Sequence, residues 1–193
     1  MSENAFEKIQ TNLLAKLKGL NPNLTYHSVN HTLDVVEQSG RIASEEGITN
    51  DRDLWLLKIA ALYHDSGFLE TYKEHEKKSC LIFLKEATDL GLNDEEKKII
   101  QGLIMSTKIP QEPKTHMEKI ICDADLDYLG RNDFFEIGDT LRREFIAYKI
   151  VANDEEWEKL QLKFLQNHTY HTKASQIQRE PGKQQNYSKL IAG

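Results

Sequence analysis

Apolar residues recur along this chain at three- and four-residue steps in segment after segment, which is the pattern of helices that bury one face. Phe6, Ile9, Leu13, Leu14, Leu17 and Leu20 predict a first helix over residues 3 to 20, ended by Gly19 and Pro22. Thr25-Tyr26-His27-Ser28 reads as a loop entering a second helix, whose inner stripe is Val29, Leu33, Val35, Val36 and Ile42 and whose end is Gly47. Thr49-Asn50-Asp51 supplies a cap for a third, in which Leu54, Leu57, Ala60 and Ala61 belong to a nearly all-apolar run. A helix apolar on every side is expected at the centre of a bundle.

Ser66-Gly67-Phe68-Leu69 breaks the period, and a helix carrying His75, Ser79, Leu81, Ile82, Leu84 and Ala87 then runs to Leu90-Gly91-Leu92. Asn93 caps a fifth helix with Ile99, Ile100, Leu103 and Ile104 facing in, and Ser106 to Thr115, holding Pro110 and Pro113, reads as a loop. Met117, Ile120, Ile121 and Cys122 lead into Asp123-Ala124-Asp125-Leu126-Asp127, an acidic run at the end of an apolar stripe. Two more helices are expected beyond Gly130, over residues 133 to 151 and 154 to 178, and residues 181 to 193 read as a polar tail, with docking through Tyr187, Leu190 and Ile191 left open. Strand alternation, internal repeats and low-complexity tracts are absent from the pattern, so the fold class is all-α. The organisation is one domain over residues 1 to 193, with a core at 25 to 130, a helical extension at 131 to 180 and the tail.

Composition narrows the function classes. A net charge of −6 and a pI near 5.7 argue against a protein held on duplex nucleic acid by broad phosphate neutralisation. No apolar run reaches bilayer length, so no membrane partner is expected. Cys80 and Cys122 lie in apolar contexts without CxxC spacing, and the first residues lack the pattern of a signal peptide. The expected location is cytoplasmic, with both thiols serving as core packing, and a homodimer is compatible with the composition.

The chemistry is concentrated at Leu62-Tyr63-His64-Asp65-Ser66-Gly67, where histidine and aspartate close the apolar run. Burying such a pair without partners is costly, and two metal ligands side by side are the simplest reason to place it there. Taken alone, a buried His-Asp pair is more often a structural hydrogen bond. Here His31 and an aspartate of the 123 to 127 run join it, giving two imidazoles and two carboxylates from three helices. That set can hold a divalent cation and leave positions for water or substrate. Mixed nitrogen and oxygen ligation suits manganese, iron, nickel, magnesium or zinc without choosing among them.

A histidine, a His-Asp pair and a distant aspartate, in this order and in helical contexts, resemble the HD-domain superfamily of metal-dependent phosphohydrolases over about residues 25 to 130. Tyr26-His27-Ser28-Val29-Asn30-His31 is similar to the Tyr-His-x-x-x-His opening of cyclic-nucleotide phosphodiesterases and related proteins. The resemblance implies that His31, His64, Asp65 and Asp125 are metal ligands and that His27 is the proton donor, with Asp65 counted among the catalytic groups. Ala124-Asp125-Leu126 matches the family pattern better than Asp123, which stays the competitor. His75-Glu76-x-x-Ser79 resembles the segment that follows the pair in small bacterial members and makes His75 a substrate-binding candidate. Arg131, just past the acidic run, is a second such candidate by position alone.

The implied activity is hydrolysis of a phosphoester in a nucleotide, cyclic nucleotide or other small phosphorylated metabolite, by water that a metal ion activates while His27 protonates the leaving oxygen. The alternatives are an oxygenase-like relative using two irons, which needs further histidines such as His75 and His116, and a catalytically silent nucleotide-binding regulatory module. His116 follows two prolines and reads as loop surface. His168 and His171, with Tyr170, Arg179 and Lys183, read as helix-end polarity, with an anion pocket as the other reading.

Overall fold

The structure is a computed structural model that describes residues 3–87 and 90–192. Positions 1, 2, 88, 89 and 193, expected in the domain's start, the end of the fourth helix and the tail, lie outside the described residues. Ten α-helices in order make up the described residues: α1 Glu3–Leu17, α2 Val29–Glu45, α3 Asp51–Tyr63, α4 His75–Glu86, α5 Asp94–Ser106, α6 His116–Asp125, α7 Phe134–Ala147, α8 Asp154–Asn167, α9 Lys173–Gln178 and α10 Glu180–Ala192. Two 3-10 turns, Ser66–Leu69 and Asp127–Gly130, follow α3 and α6. The described residues form no strand, so the all-α fold is borne out, and none of their helices is long and apolar enough to cross a membrane.

Side-chain caps set the helix starts, two of them, Asn50 and Asn93, as expected from sequence. Asn50 accepts from the backbone N–H groups of Arg52 and Asp53, Ser28 accepts from His31 N, and Asn93 and Thr115 each form a capping box with the glutamate three residues on. The apolar α3 lies at the centre, packed against α1, α2, α4, α5 and α6. Leu57, Ile59 and Leu62 are almost entirely buried there, and burial of each side chain contributes roughly 1.5–3 kcal/mol. Rigid packing around α3 is what holds His64 and Asp65, which directly follow its last turn, in a fixed position.

A second, smaller core lies under the extension. Tyr26, Leu126, Tyr128, Leu129, Phe134, Leu165 and Tyr170 form it. Tyr26 adjoins His27 and Leu126 adjoins Asp125 in sequence, so the chemistry-bearing residues sit at the seam between the two cores.

Two expectations for the extension need correction. The span 154 to 178 is not one helix: α8 stops at Asn167, and Thr172 caps a separate α9 by accepting from Ser175 N. The tail is helical and docked. Pro181 stands in the first turn of α10, where a missing N–H removes no helical bond. Lys183, only 2% exposed, donates from Nζ to His168 O at 2.5 Å and pairs with Glu180 Oε2 at 2.9 Å. Asn186 Nδ2 donates to Leu129 O and Arg131 O, each at 3.0 Å. The polar residues that suggested a solvated tail are thus the groups that dock it, together with Tyr187 and Leu190 against the second core; Ile191 stays exposed.

Close approach of α10 depends on two glycines. A Cβ on Gly182 would lie 2.1 Å from Gly130 O, and one on Gly130 would lie 2.2 Å from Arg179 O. Gly182→Ala is therefore expected to lower stability by about 1–3 kcal/mol through overpacking. Gly40→Ala, in mid-α2 with Lys58 Cε at 3.9 Å from the added carbon, should be neutral or gain up to about 1 kcal/mol. Urea denaturation of both variants checks this, and an equal loss at the two positions contradicts it.

Candidate metal centre

The site is assembled at the ends of three helices. Ser28 caps α2, so His27 lies on the turn before the helix and His31 in its first turn, with their rings 5.9 Å apart. His64 closes α3; its Nδ1–H donates to Ala61 O at 2.7 Å, which leaves Nε2 with the lone pair in the neutral ring. Asp125 is the last residue of α6. One ligand atom each from His31, His64 and Asp65 lies within 4.8 Å of the others. His31 Nε2 and His64 Nε2 are 3.3 Å apart, with Asp65 Oδ2 at 3.4 and 3.1 Å from them. Asp125 Oδ1 lies 3.1 Å from His31 Nε2 and 3.6 Å from His64 Nε2.

These groups fit a divalent cation. Asp65 Oδ2 is buried and takes no hydrogen bond although two imidazole nitrogens face it, which is the arrangement of donors sharing an ion. Electrostatics point the same way. Burial alone would lower the pKa of His31, but the neighbouring Asp125 and Asp65 carboxylates outweigh it and lift it to about 9. Burial alone would raise Asp125, and His31 and His64 bring it down to about 2. The pocket thus favours positive charge between two carboxylates.

The three acids of the 123 to 127 run separate cleanly. Asp123 faces away from this cluster and accepts from His171 N, Thr172 N and Thr172 Oγ1 at 2.8, 2.7 and 2.6 Å, anchoring the start of α9. Asp127, fully buried, accepts from Arg41 Nη2 at 2.6 Å and Arg179 Nε at 2.9 Å. Asp125 alone of the three joins the imidazoles, its Oδ2 held by Gln111 Nε2 at 3.3 Å.

His75 is also brought in. Gly67 permits it: a Cβ there would lie 2.0 Å from His75 O, and Gly67 N donates to Ser79 Oγ at 2.8 Å, drawing the start of α4 against the turn after Asp65. His75 Nε2 then stands 3.3 Å from Asp65 Oδ1, the oxygen opposite the one facing His31 and His64. Arg131 is not brought in. Its guanidinium is spent on Asp34, at 2.8 and 2.9 Å, and on Asp133 at 3.0 Å, so position after the acidic run misled. His116 is half exposed and pairs with Glu46 at 3.3 Å, away from the cluster.

One residue of the site escaped the sequence reading. Glu144 of α7 is fully buried; its Oε1 accepts from His27 Nδ1–H and from Tyr72 OH at 3.1 Å, and its Oε2 accepts from the backbone N–H of Tyr26 and His27 at 3.0 and 3.1 Å. Burial would raise its pKa, but His27 and the backbone donors hold it below the usual carboxylate range. His27 also stacks on Phe68, with ring centroids 4.3 Å apart. A cavity of about 470 Å³ opens beside these groups and reaches between α7 and α8; His27, Asp65, His75 and Asp125 line its polar end.

The model of the HD domain family matches residues 28–127, more than half of the chain, with His31, His64, Asp65 and Asp125 inside the match. Comparison with curated proteins and with solved structures gave no match. A helical bundle that gathers a histidine, a His-Asp pair and a distant aspartate at one point defines the class, and this chain belongs to the HD domain family.

His168, named with His171 as a further candidate, is a partly buried neutral ring beside Lys183. Burial, then the charge of Lys183, lowers its pKa to about 3. Because the unfolded chain takes up a proton near the ordinary value of 6.5 and the folded protein does not, this residue's contribution is intact above pH 6.5 and is lost as pH falls toward 3. His168→Gln is expected to make stability fall less steeply between those values, by up to about 1.4 kcal/mol per pH unit. Denaturation midpoints across the range measure it; an unchanged slope contradicts it.

Proposed function

We propose that this protein is a metal-dependent phosphoester hydrolase in which His31, His64, Asp65 and Asp125 hold a divalent ion and His27 protonates the leaving oxygen. The observation that carries the reading is the convergence of His31, His64 and Asp65 within 4.8 Å, with Asp65 reaching the cavity that His27 also lines. An ion bound there supplies Lewis acidity toward a phosphoryl oxygen and a water of lowered pKa. The manganese, iron, nickel, magnesium and zinc ions all suit the donor set.

The protein's own groups then divide the remaining work. Glu144 fixes the His27 ring by accepting its Nδ1–H, so Nε2 is the nitrogen left for a substrate. With Nδ1 engaged by Glu144, a proton that His27 gives to a leaving oxygen comes from Nε2. The backbone N–H groups of Tyr26 and His27 and the Tyr72 hydroxyl hold that carboxylate in place, so orientation of the acid is built into the fold. His75, held by Asp65 Oδ1 at Nε2 and by Tyr72 O at Nδ1, stands at the polar end of the cavity and fixes the Asp65 carboxylate there. The substrate is a small phosphorylated molecule; a nucleotide or cyclic nucleotide is within this class. The buried free thiols of Cys80 and Cys122 suit a reducing, cytoplasmic setting.

Two experiments test this. His64→Ala and Asp125→Ala should each weaken binding of Mn²⁺ at least tenfold, on the order of what supporting groups alone contribute to a metal site. Asp123→Ala should keep the metal and lose about 1–3 kcal/mol of stability, because it strands buried donors of α9. Titration calorimetry with Mn²⁺ and elemental analysis give the answer, and a larger metal loss at Asp123 than at Asp125 would overturn the ligand assignment. For the acid, His27→Ala and Glu144→Gln should retain metal and lose about 100- to 10,000-fold in turnover on esters with poor leaving groups, while nitrophenyl phosphate is spared. Equal loss on both substrate types, or loss of the ion, removes His27 from the chemical step.

A further inference from the structure

The cavity beside the metal centre is polar at one end and apolar at the other. At the polar end stand His27, Asp65, His75 and Asp125, with Thr107 and the exposed Lys73 and Lys108 close by along the lining. Away from it, Leu126, Leu141, Phe145, Trp157, Phe164 and Leu165 form the wall. Apart from the Trp157 indole N–H, Gln161 supplies the one polar side chain that α7 and α8 present to this space among the described residues. Ile109, Ile150 and Leu160 also line it yet are 52%, 49% and 37% exposed, so the cavity meets solvent through an apolar rim. Large apolar side chains are left in water there, while Trp157 and Leu165 of the same α8 are buried.

We infer that the substrate is a phosphate monoester whose leaving group is an apolar alkyl or prenyl chain, with the phosphate at the metal centre and the chain along the α7–α8 wall. This rests on the phosphohydrolase reading and narrows it. A nucleobase lying along α7 and α8 would meet only the Gln161 amide and the Trp157 indole N–H on that wall, the lining Tyr26, Tyr72 and Tyr128 belonging to other elements; hydrogen-bonding groups left unpaired there carry the full desolvation penalty. A hydrocarbon chain loses nothing there and gains with each methylene removed from water. The volume, about 470 Å³, lies in the range of sites that enclose small organic ligands. Lys73 and Lys108 share the lining with Glu74 and Glu76, and Lys108 lies 4.0 Å from Glu74, so the charge that suits a phosphate is that of the metal centre. Turnover breaks the P–O bond to the chain: water adds to phosphorus, the alkoxide takes a proton from His27 Nε2, and the products are inorganic phosphate and a free alcohol.

The test uses the whole chain loaded with Mn²⁺ and the series butyl-, octyl- and dodecylphosphonate, whose C–P bond is not hydrolysed, so that binding is read apart from turnover. Calorimetry should show affinity rising with chain length, by up to about fourfold per methylene, with adenosine monophosphate weaker than the longer members. Leu160→Gln, at the solvent-facing rim, should cut the advantage of the dodecyl over the butyl compound several-fold without changing butylphosphonate affinity or Mn²⁺ content. Affinity independent of length, nucleotide binding as tight as dodecylphosphonate, or a length trend untouched by Leu160→Gln and also by Phe164→Gln each overturns the inference. Phosphate release is assayed beside it on the matching alkyl phosphates and on nucleotides. A length trend without release from any ester would retire the hydrolase reading and leave the ligand class standing; release from nucleotides without a length trend would do the reverse.

Discussion

Two imidazole nitrogens 3.3 Å apart, closed in by two carboxylates at the end of the most buried helix, are the constraint on which the rest of this protein depends. Unit positive charges at that separation repel by about 5 kcal/mol at an effective dielectric near 20. Neutral rings instead leave Asp65 and Asp125 buried without a counter-charge. Only a shared cation, or protons standing in for it, reconciles the four groups. Such a cluster cannot be maintained on mobile elements, so α2, α3 and α6 pack against one another, and Ser28 caps α2 at the end that carries His31.

The extension serves the same centre from outside. Asp127 ties α2 to the segment after α9 through Arg41 and Arg179, while Lys183 fastens α10 to the end of α8 and Asn186 fastens it to the turn that follows α6. With that frame closed, α7 brings Glu144 to His27 and α8 supplies the apolar wall. The acid, the cluster and the wall therefore come from opposite halves of the chain, and the cavity exists only where the halves meet.

Much of this was legible in the sequence, for physical reasons that also explain the gaps. Helical periodicity located the elements, since one buried face per helix is all that a bundle demands. The cluster could be read because its members stand at helix ends, where a polar residue interrupting an apolar run is conspicuous, and because their order matches a family whose model covers residues 28–127. Glu144 could not be read: it lies between Arg143 and Phe145 on a helix with abundant charge, and nothing local distinguishes a buried glutamate there from a solvated one. Pro181 and Gly182 were ambiguous in another way. The same pair breaks a helix in its interior and favours one at its start, and only the approach to Gly130 decides which. Arg131 was placed at the site by adjacency to Asp127, but the side chain turns to Asp34, ninety-seven positions earlier.

Anomalous diffraction from a crystal of the protein grown with Mn²⁺ tests the central claim most directly. The account predicts one strong peak at the point that His31 Nε2, His64 Nε2, Asp65 and Asp125 share, with His27 outside the coordination sphere and still paired to Glu144. A peak at Asp123 or on the protein surface, or a saturated crystal with no peak at this cluster, would contradict it.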